Sequence, residues 1–246
     1  MQLLEKVITD NHEIEVCDTT ELYGEKGNFR VLQFSNEAIQ GAMDLNHPDR
    51  VIFEYPRAII HLMEFNDPSS RDIFLIGHGI GTIVNYFSDK QFKVAELDMN
   101  VVELSRRYFG YSKDNVMIGD GRQLLEAEET DHYDVIIVDA FTDKGTPSQL
   151  ISKEFFGVTA DRLHSHGSII MNLIGRSGHD NLINAIHSTL CEEYSYTKVF
   201  ALPAEGQTDT QNIIMMGSSQ SIGYQARNMA GFNEIVLEEG HIIWDK

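Results

Sequence analysis

Apolar residues along this chain change their spacing near residue 50. Before that point they alternate with polar ones and show no helical period. Ile14 and Val16, then Phe29 and Val31, flank the turn-rich segment Tyr23-Gly24-Glu25-Lys26-Gly27-Asn28, so a small antiparallel unit of hairpins is predicted. Asn46-His47-Pro48-Asp49 reads as a loop. Phe53 to Phe65 carries a helical pattern, with Pro56 tolerated in the first turn. Asn66-Asp67-Pro68-Ser69-Ser70 breaks that helix.

From Asp72 onward, short apolar runs alternate with helical segments. Strands are predicted over 72–76, 92–97, 115–118, 133–139, 167–173, 194–200 and 211–217, and helices over 80–88, 99–109, 121–127, 152–163 and 178–192. Strands separated by helices of this length make a parallel sheet. Only a short polar loop, Pro203 to Thr210, separates the last two strands. They are expected to pair antiparallel and close the sheet with an antiparallel edge strand. Three units follow: a hairpin domain over 1–52, a cofactor-binding catalytic domain over 53–220, and a tail over 221–246. The tail's apolar end, Ile242-Ile243-Trp244, is expected to pack on the core or on a partner.

Composition narrows the class. The net charge of -19 repels nucleic-acid backbones and disfavours a DNA- or RNA-binding role. It is compatible with a cationic small molecule, although solubility alone accounts for it. No apolar run approaches the ~20 residues that span a bilayer. The acidic, alternating N-terminus does not read as a signal peptide. Cys17 and Cys191 are far apart and form no CxxC pattern, as expected for reduced thiols in a cytoplasmic protein.

The candidate chemistry lies at the strand ends. In an open α/β sheet, ligands bind outside the carboxyl ends of the strands. The first predicted strand ends in Gly77-His78-Gly79-Ile80-Gly81, the second in Glu96 and Asp98, the third in Gly119-Asp120-Gly121-Arg122, the fourth in Asp139 and Asp143, and the fifth in Asn172 and Gly175. Glycines let backbone approach a ligand closely, and an acid ending the second strand accepts hydrogen bonds from two ribose hydroxyls, so an adenosine-containing cofactor is expected. The spacing is GxGxG followed by Thr82, not the GxGxxG of dinucleotide enzymes, which favours S-adenosyl compounds over NAD. Asp120 can accept from an adenine amino group or simply form an Asx turn. Asp139 ends a fully apolar strand, Val135 to Val138, where partial desolvation raises a carboxyl pKa. A carboxylate there can orient and deprotonate an amine. His164-Ser165-His166 reads as a solvated turn before the fifth strand. Phe155-Phe156 and Met215-Met216 read as packing.

The segments DIFLIGHGIGT, KVAELDMNVVELSRRYF, VMIGDGRQLL, YDVIIVDAFTDKGTPSQLISKEFF and HGSIIMNLI resemble the spermidine synthase family of polyamine aminopropyltransferases. The resemblance runs from about Gln40 to Ser218. It implies an α/β, Rossmann-like, S-adenosylmethionine-dependent methyltransferase fold. The sheet would be seven-stranded and mostly parallel, with its last strand antiparallel, behind a small N-terminal β-hairpin domain. It also implies a homodimer that uses decarboxylated S-adenosylmethionine, without a metal, to transfer an aminopropyl group to a polyamine acceptor. By the same resemblance Glu96 holds the ribose, Asp120 and Gly121 contact adenine, and Gly77, Gly79 and Gly81 approach the sulfonium. Gln40 contacts the cofactor, Asp139 is the base, and Tyr55 and Asp143 hold the amine. Pro203 and Gln207 match a late loop.

The chain departs from the family pattern on the amine side. Ile80 stands where the glycine motif carries an acid. Tyr55-Pro56-Arg57 stands in place of Tyr-His-Glu. Asp143 is displaced by one residue. An ammonium lacking its charge partner in a buried site costs about 2–5 kcal/mol. Two alternatives therefore stay open: methyl transfer from S-adenosylmethionine itself, and a nucleoside-binding relative without turnover.

Overall fold

The structure is a computed structural model that describes residues 1–9, 13–34, 39–142, 145–176, 180–203 and 209–246. The chain opens with four strands, β1 (Gln2–Ile8), β2 (Glu13–Leu22), β3 (Glu25–Phe34) and β4 (Ile39–Asp44), paired antiparallel in sequence order. The β2–β3 turn is tighter than its composition suggests. Leu22 pairs with Glu25, so only Tyr23 and Gly24 make the turn, at φ 47° and 81°. Two successive positive φ values mark the primed turn that suits twisted strands.

Helix α1 (Glu54–Asn66) follows, and the alternating unit begins: β5 (Asp72–Ile76), α2 (Thr82–Tyr86), β6 (Gln91–Glu96), α3 (Met99–Tyr108), β7 (Val116–Ile118), α4 (Gly121–Glu126) and β8 (Tyr133–Val138). It continues through α5 (Lys153–Arg162), β9 (Leu163–Gly175), α6 (Asn181–Leu190), β10 (Tyr196–Ala201) and β11 (Gln211–Ser218) to a short β12 (Asn233–Ile235). All seven expected strands and all five expected helices of this unit appear. Strand β9 begins at Leu163, so His164, Ser165 and His166 are exposed strand residues rather than a turn.

The second sheet has the order β12-β10-β11-β9-β8-β5-β6-β7. Strand β11 is antiparallel to both β9 and β10 and lies between them, which corrects its expected place at the edge. The α6 crossover sets β10 two strand spacings from β9, and β11 returns into the gap between them. Its central residues Ile213 to Met216 are at most 1% exposed, as an interior strand requires. The edge is taken by β12, which pairs antiparallel with β10.

Strand side chains alternate between two cores. Phe74, Ile76, Ile136 and Val138 pack with α5 and α6, whereas Ile73, Leu75, Val135 and Ile137 pack with α1 and α2. A third cluster joins the first sheet to the second unit. Ile14, Val16 and Leu32 bury Ile80, Val101, Leu104 and Phe109, so the hairpin sheet rests on α3 and the glycine turn. Near the chain's end, the Lys153 N–H donates to the Ile243 carbonyl at 2.8 Å and Arg122 forks onto Asp245 at 2.7 and 2.8 Å. Among the described residues, no helix is long and apolar enough to cross a membrane.

Candidate active site

The order of the second sheet fixes where a ligand can sit. From β5 the chain winds outward through β6 and β7, then returns to the other side of β5 with β8. The crevice at such a reversal is the usual ligand site of an open α/β sheet. Gly77 leaves β5 and Asp139 leaves β8 at this point. The two backbones are so close that a Cβ on Gly77 would lie 2.0 Å from the Asp139 carbonyl oxygen, and Gly77 has φ 98°. Gly81 is held by packing as well, since its Cβ would lie 2.4 Å from the Tyr111 ring. Gly79 is different: the nearest atom to its Cβ position is the Gln40 carbonyl oxygen at 3.8 Å, so this glycine presents bare backbone to the cavity.

The cavity over these strand ends holds about 530 Å³, within the range of small-molecule sites. Gln40, Tyr55, Gly77, Gly79, Glu96, Asp120, Gly121 and Asp139 all line it. Gly81 does not, and Asp143 and Gln207 lie outside the described residues. The hairpin sheet supplies part of the wall through Leu32, Ile39 and Gln40.

Glu96 is fixed by backbone: the N–H groups of His78 and Asp98 each donate to one of its oxygens at 2.9 Å. Burial raises its pKa, against the pull of those hydrogen bonds. Each oxygen keeps lone-pair capacity for a further donor. Asp98 caps α3 by accepting the Asn100 N–H at 2.8 Å. Asp120 caps α4 through the Gln123 N–H at 3.0 Å and also accepts from the Gln149 amide at 3.3 Å. Gly121 must lack a side chain, because its Cβ would lie 2.4 Å from Ile76.

Asp139 anchors a polar chain across the sheet. Its Oδ1 accepts from the Asn172 amide at 2.8 Å, Asn172 accepts in turn from the Asn212 amide at 2.9 Å, and the Tyr55 hydroxyl hydrogen-bonds to the same carboxyl. Burial pushes the Asp139 pKa up to about 6, although the Asn172 and Tyr55 hydrogen bonds favour the anion. Burial, with Asp139 beside it, holds Tyr55 well above its ordinary value, so its hydroxyl is a donor. Tyr55 reaches this place from the first turn of α1. Asn212 was missed by sequence reasoning. It opens the apolar run of β11, and its partner Asn172 becomes visible only once β11 is placed beside β9.

Two turn residues behave otherwise than the glycine motif suggests. Ile80 is 7% exposed and packs among Ile14, Val16 and Leu32 beneath the hairpin sheet. His78 is 5% exposed, bonds Ser105 Oγ through Nε2 at 2.8 Å, and meets the Tyr111 ring edge-on at 4.5 Å. Burial lowers its pKa to about 4, so it is neutral at physiological pH. Among the described residues, no group of three or more His, Cys, Asp or Glu is arranged to hold a metal ion.

Known proteins resemble this chain in sequence and in fold. The chain is 29% identical over 136 residues to putrescine N-methyltransferase 2 of Nicotiana attenuata, covering 51% of this chain and 37% of that protein. It is 26% identical over 159 residues to the polyamine aminopropyltransferase of Neisseria meningitidis serogroup A, covering 60% and 59%. The chain thus spans between about a third and three-fifths of these relatives' lengths. Its fold is shared with a probable spermidine synthase from Corynebacterium glutamicum, with TM-score 0.79, 22% identity, and coverage of 95% of this chain and 89% of that one. Human methyltransferase-like protein 13, solved with SAH, shares it more loosely, with TM-score 0.58, 20% identity, and coverage of 72% and 87%. The model of the spermine/spermidine synthase domain matches residues 52–220, more than half of the chain, and the chain belongs to that family.

Proposed function

We propose that the chain is a transferase that alkylates an amine nitrogen, using decarboxylated S-adenosylmethionine as the aminopropyl donor. The observation that carries this reading is the Tyr55–Asp139–Asn172–Asn212 network at the sheet reversal, in the same cavity as Glu96. The cavity suits the donor. It has the volume, an acid with free lone pairs at the end of β6, and bare glycine backbone at Gly79.

In this reading Glu96 accepts the two ribose hydroxyls, Asp120 and Gly121 border the adenine, and Gln40 and Gly79 flank the sulfonium side. The donor supplies a carbon made electrophilic by its positive sulfur. Asp139 accepts a proton from the substrate ammonium and frees the nitrogen lone pair. That lone pair forms the new carbon–nitrogen bond while the carbon–sulfur bond breaks with its electrons left on sulfur, giving a neutral thioether. The pKa of about 6 leaves Asp139 ionised at neutral pH yet basic enough to share the proton. Tyr55 and Asn172 hold the carboxylate in place as the charge moves.

The test is incubation of the full chain with decarboxylated S-adenosylmethionine and a panel of amines, with methylthioadenosine read by mass spectrometry. Binding of the donor with no thioether formed for any amine would overturn it. Methyl transfer is the second reading, favoured by Ile80, whose side chain brings no carboxylate to the donor's amino end. S-adenosylhomocysteine formed from S-adenosylmethionine, faster than methylthioadenosine from the decarboxylated compound, would establish it instead. A family dimer is compatible with either reading, and gel filtration with light scattering would measure it.

A further inference from the structure

The nucleoside end of the cavity is tied to a segment that lines no part of it. Residues 240–245 cross α6 and α5 in irregular conformation, yet they are held step by step. The Gly240 N–H donates to Ser188 Oγ at 2.8 Å, and the Ile243 N–H donates to Thr189 Oγ1 at 2.9 Å. The Lys153 N–H donates to the Ile243 carbonyl, and the Lys153 ammonium lies 5.1 Å from the Trp244 ring centroid. Asp245 is fixed at its backbone and its side chain together. Its N–H donates to Glu154 Oε2 at 2.9 Å, while its carboxylate accepts from the Ser152 hydroxyl and from both terminal nitrogens of Arg122.

Arg122 passes this hold into the cavity wall. It lies in the first turn of α4, next to Gly121, with its side chain 16% exposed. Its Nη1 also donates to the Gln149 carbonyl at 3.3 Å. Gln149 belongs to the tight helical turn Ser148–Leu150, and its side-chain amide donates to Asp120 Oδ2. Asp120, Gly121, Gln149 and Leu150 all line the cavity. An unbroken series of hydrogen bonds therefore runs from Asp245 through Arg122 and Gln149 to Asp120. Rotation of a carboxylate about its last bond is broad and weakly restrained by its own chain. The Gln123 N–H holds one Asp120 oxygen, so the Gln149 amide on the other sets the carboxylate plane and the direction of its remaining lone pairs. Without Asp245, Arg122 keeps only the exposed pair with Glu126 to orient it, and such pairs hold weakly. The two-point fork onto Asp245 fixes the guanidinium plane as a single contact does not.

Resting on the nucleoside placement given above, we propose that Asp245 is a positioning residue for adenine recognition: it orients Arg122, Arg122 holds Gln149, and Gln149 aims the Asp120 carboxylate at the exocyclic amino group of the base. Asp245 touches no ligand and acts through the other three. A base with a carbonyl in place of that amino group turns an oxygen toward the carboxylate, so the aim of Asp120 decides how well the two bases are told apart.

The experiment is calorimetry on the full chain with methylthioadenosine and methylthioinosine. The unmodified chain is expected to bind methylthioadenosine on the order of 10- to 100-fold more tightly than methylthioinosine. Asp245→Asn is expected to cut that ratio about 3- to 10-fold, chiefly by weakening methylthioadenosine, and Asp245→Glu to restore most of it. Gln149→Leu leaves the anchoring of residues 240–245 intact and is expected to cut the ratio as much. In the Gln149→Leu background Asp245→Asn is expected to cut it no further, because the two residues act in series. Equal weakening of both nucleosides by Asp245→Asn, full additivity of the two substitutions, or equal binding of the two nucleosides by the unmodified chain would overturn the positioning role alone. Failure of the unmodified chain to bind either nucleoside would overturn the nucleoside placement on which it rests.

Discussion

Asp139→Asn is expected to make the protein more stable while abolishing transfer. The carboxyl is held at about 6 against an ordinary 3.8. Between those values the unfolded chain releases this proton while the folded chain keeps it. The unfolded state then binds fewer protons, so this site makes folding less favourable as pH rises from about 4 to 6, and the cost is constant above that. About two pKa units correspond to about 3 kcal/mol. The group is partly exposed and keeps some hydration, which leaves about 1–3 kcal/mol to be gained by a neutral side chain. The introduced amide still offers an oxygen to the Asn172 amide. Urea denaturation of both proteins at pH 5, 6, 7 and 8 measures the difference. A gain of about 1–3 kcal/mol at pH 8, or about 2–10 °C in Tm, is expected to shrink toward pH 4. A variant no more stable than the parent at pH 8, or a difference independent of pH, would refute the reasoning.

Three further outcomes follow from the same geometry. Tyr55→Phe removes a hydrogen bond that favours the Asp139 anion, so the acid limb of the kcat/KM profile, near pH 6 in the parent, is expected to move to higher pH; an unmoved limb counts against Asp139 as the base. Gly77→Ala puts a Cβ 2.0 Å from the Asp139 carbonyl oxygen at φ 98°, so a loss of at least about 3 kcal/mol in denaturant unfolding is expected, with donor binding lost alongside. Ile80→Asp buries a carboxyl among Ile14, Val16 and Leu32, and a loss of about 3–5 kcal/mol is expected; a variant of parental stability with tighter binding of decarboxylated S-adenosylmethionine would show that position 80 reaches the cavity after all.

The side chains explain which of these features could be read early. A short apolar run ending in glycines or an acid is a local signal, because strand burial and turn conformation are decided within a few residues. Strands β5 to β9, the glycine turn, and the acids Glu96, Asp120 and Asp139 are therefore legible one segment at a time. The alternation of Ile73 and Leu75 against Phe74 and Ile76 marks a strand buried on both faces, whatever lies on either side. Strand β11 shows the limit. Its continuous run Ile213 to Met216 signals an interior strand, but the short loop before it suggests a hairpin closing the sheet, and only the placement of β10 decided between them.

Sequence alone thus determined the fold class, the family and the position of the acids, because each depends on local patterns that any neighbouring segment leaves intact. Tertiary structure decided the rest. Asn212 joins Asp139 only because β11 enters beside β9, 40 residues from its partner Asn172. Tyr23 and Phe53 meet because a hairpin tip and a helix start converge over one cavity. Ile80 packs under the first sheet instead of lining the large cavity and borders only a small recess beside Tyr55 and Asp139, since Ile14, Val16 and Leu32 offer it an apolar surface that water cannot. Contacts between distant segments follow from the packing of whole layers, and no single stretch of sequence carries them.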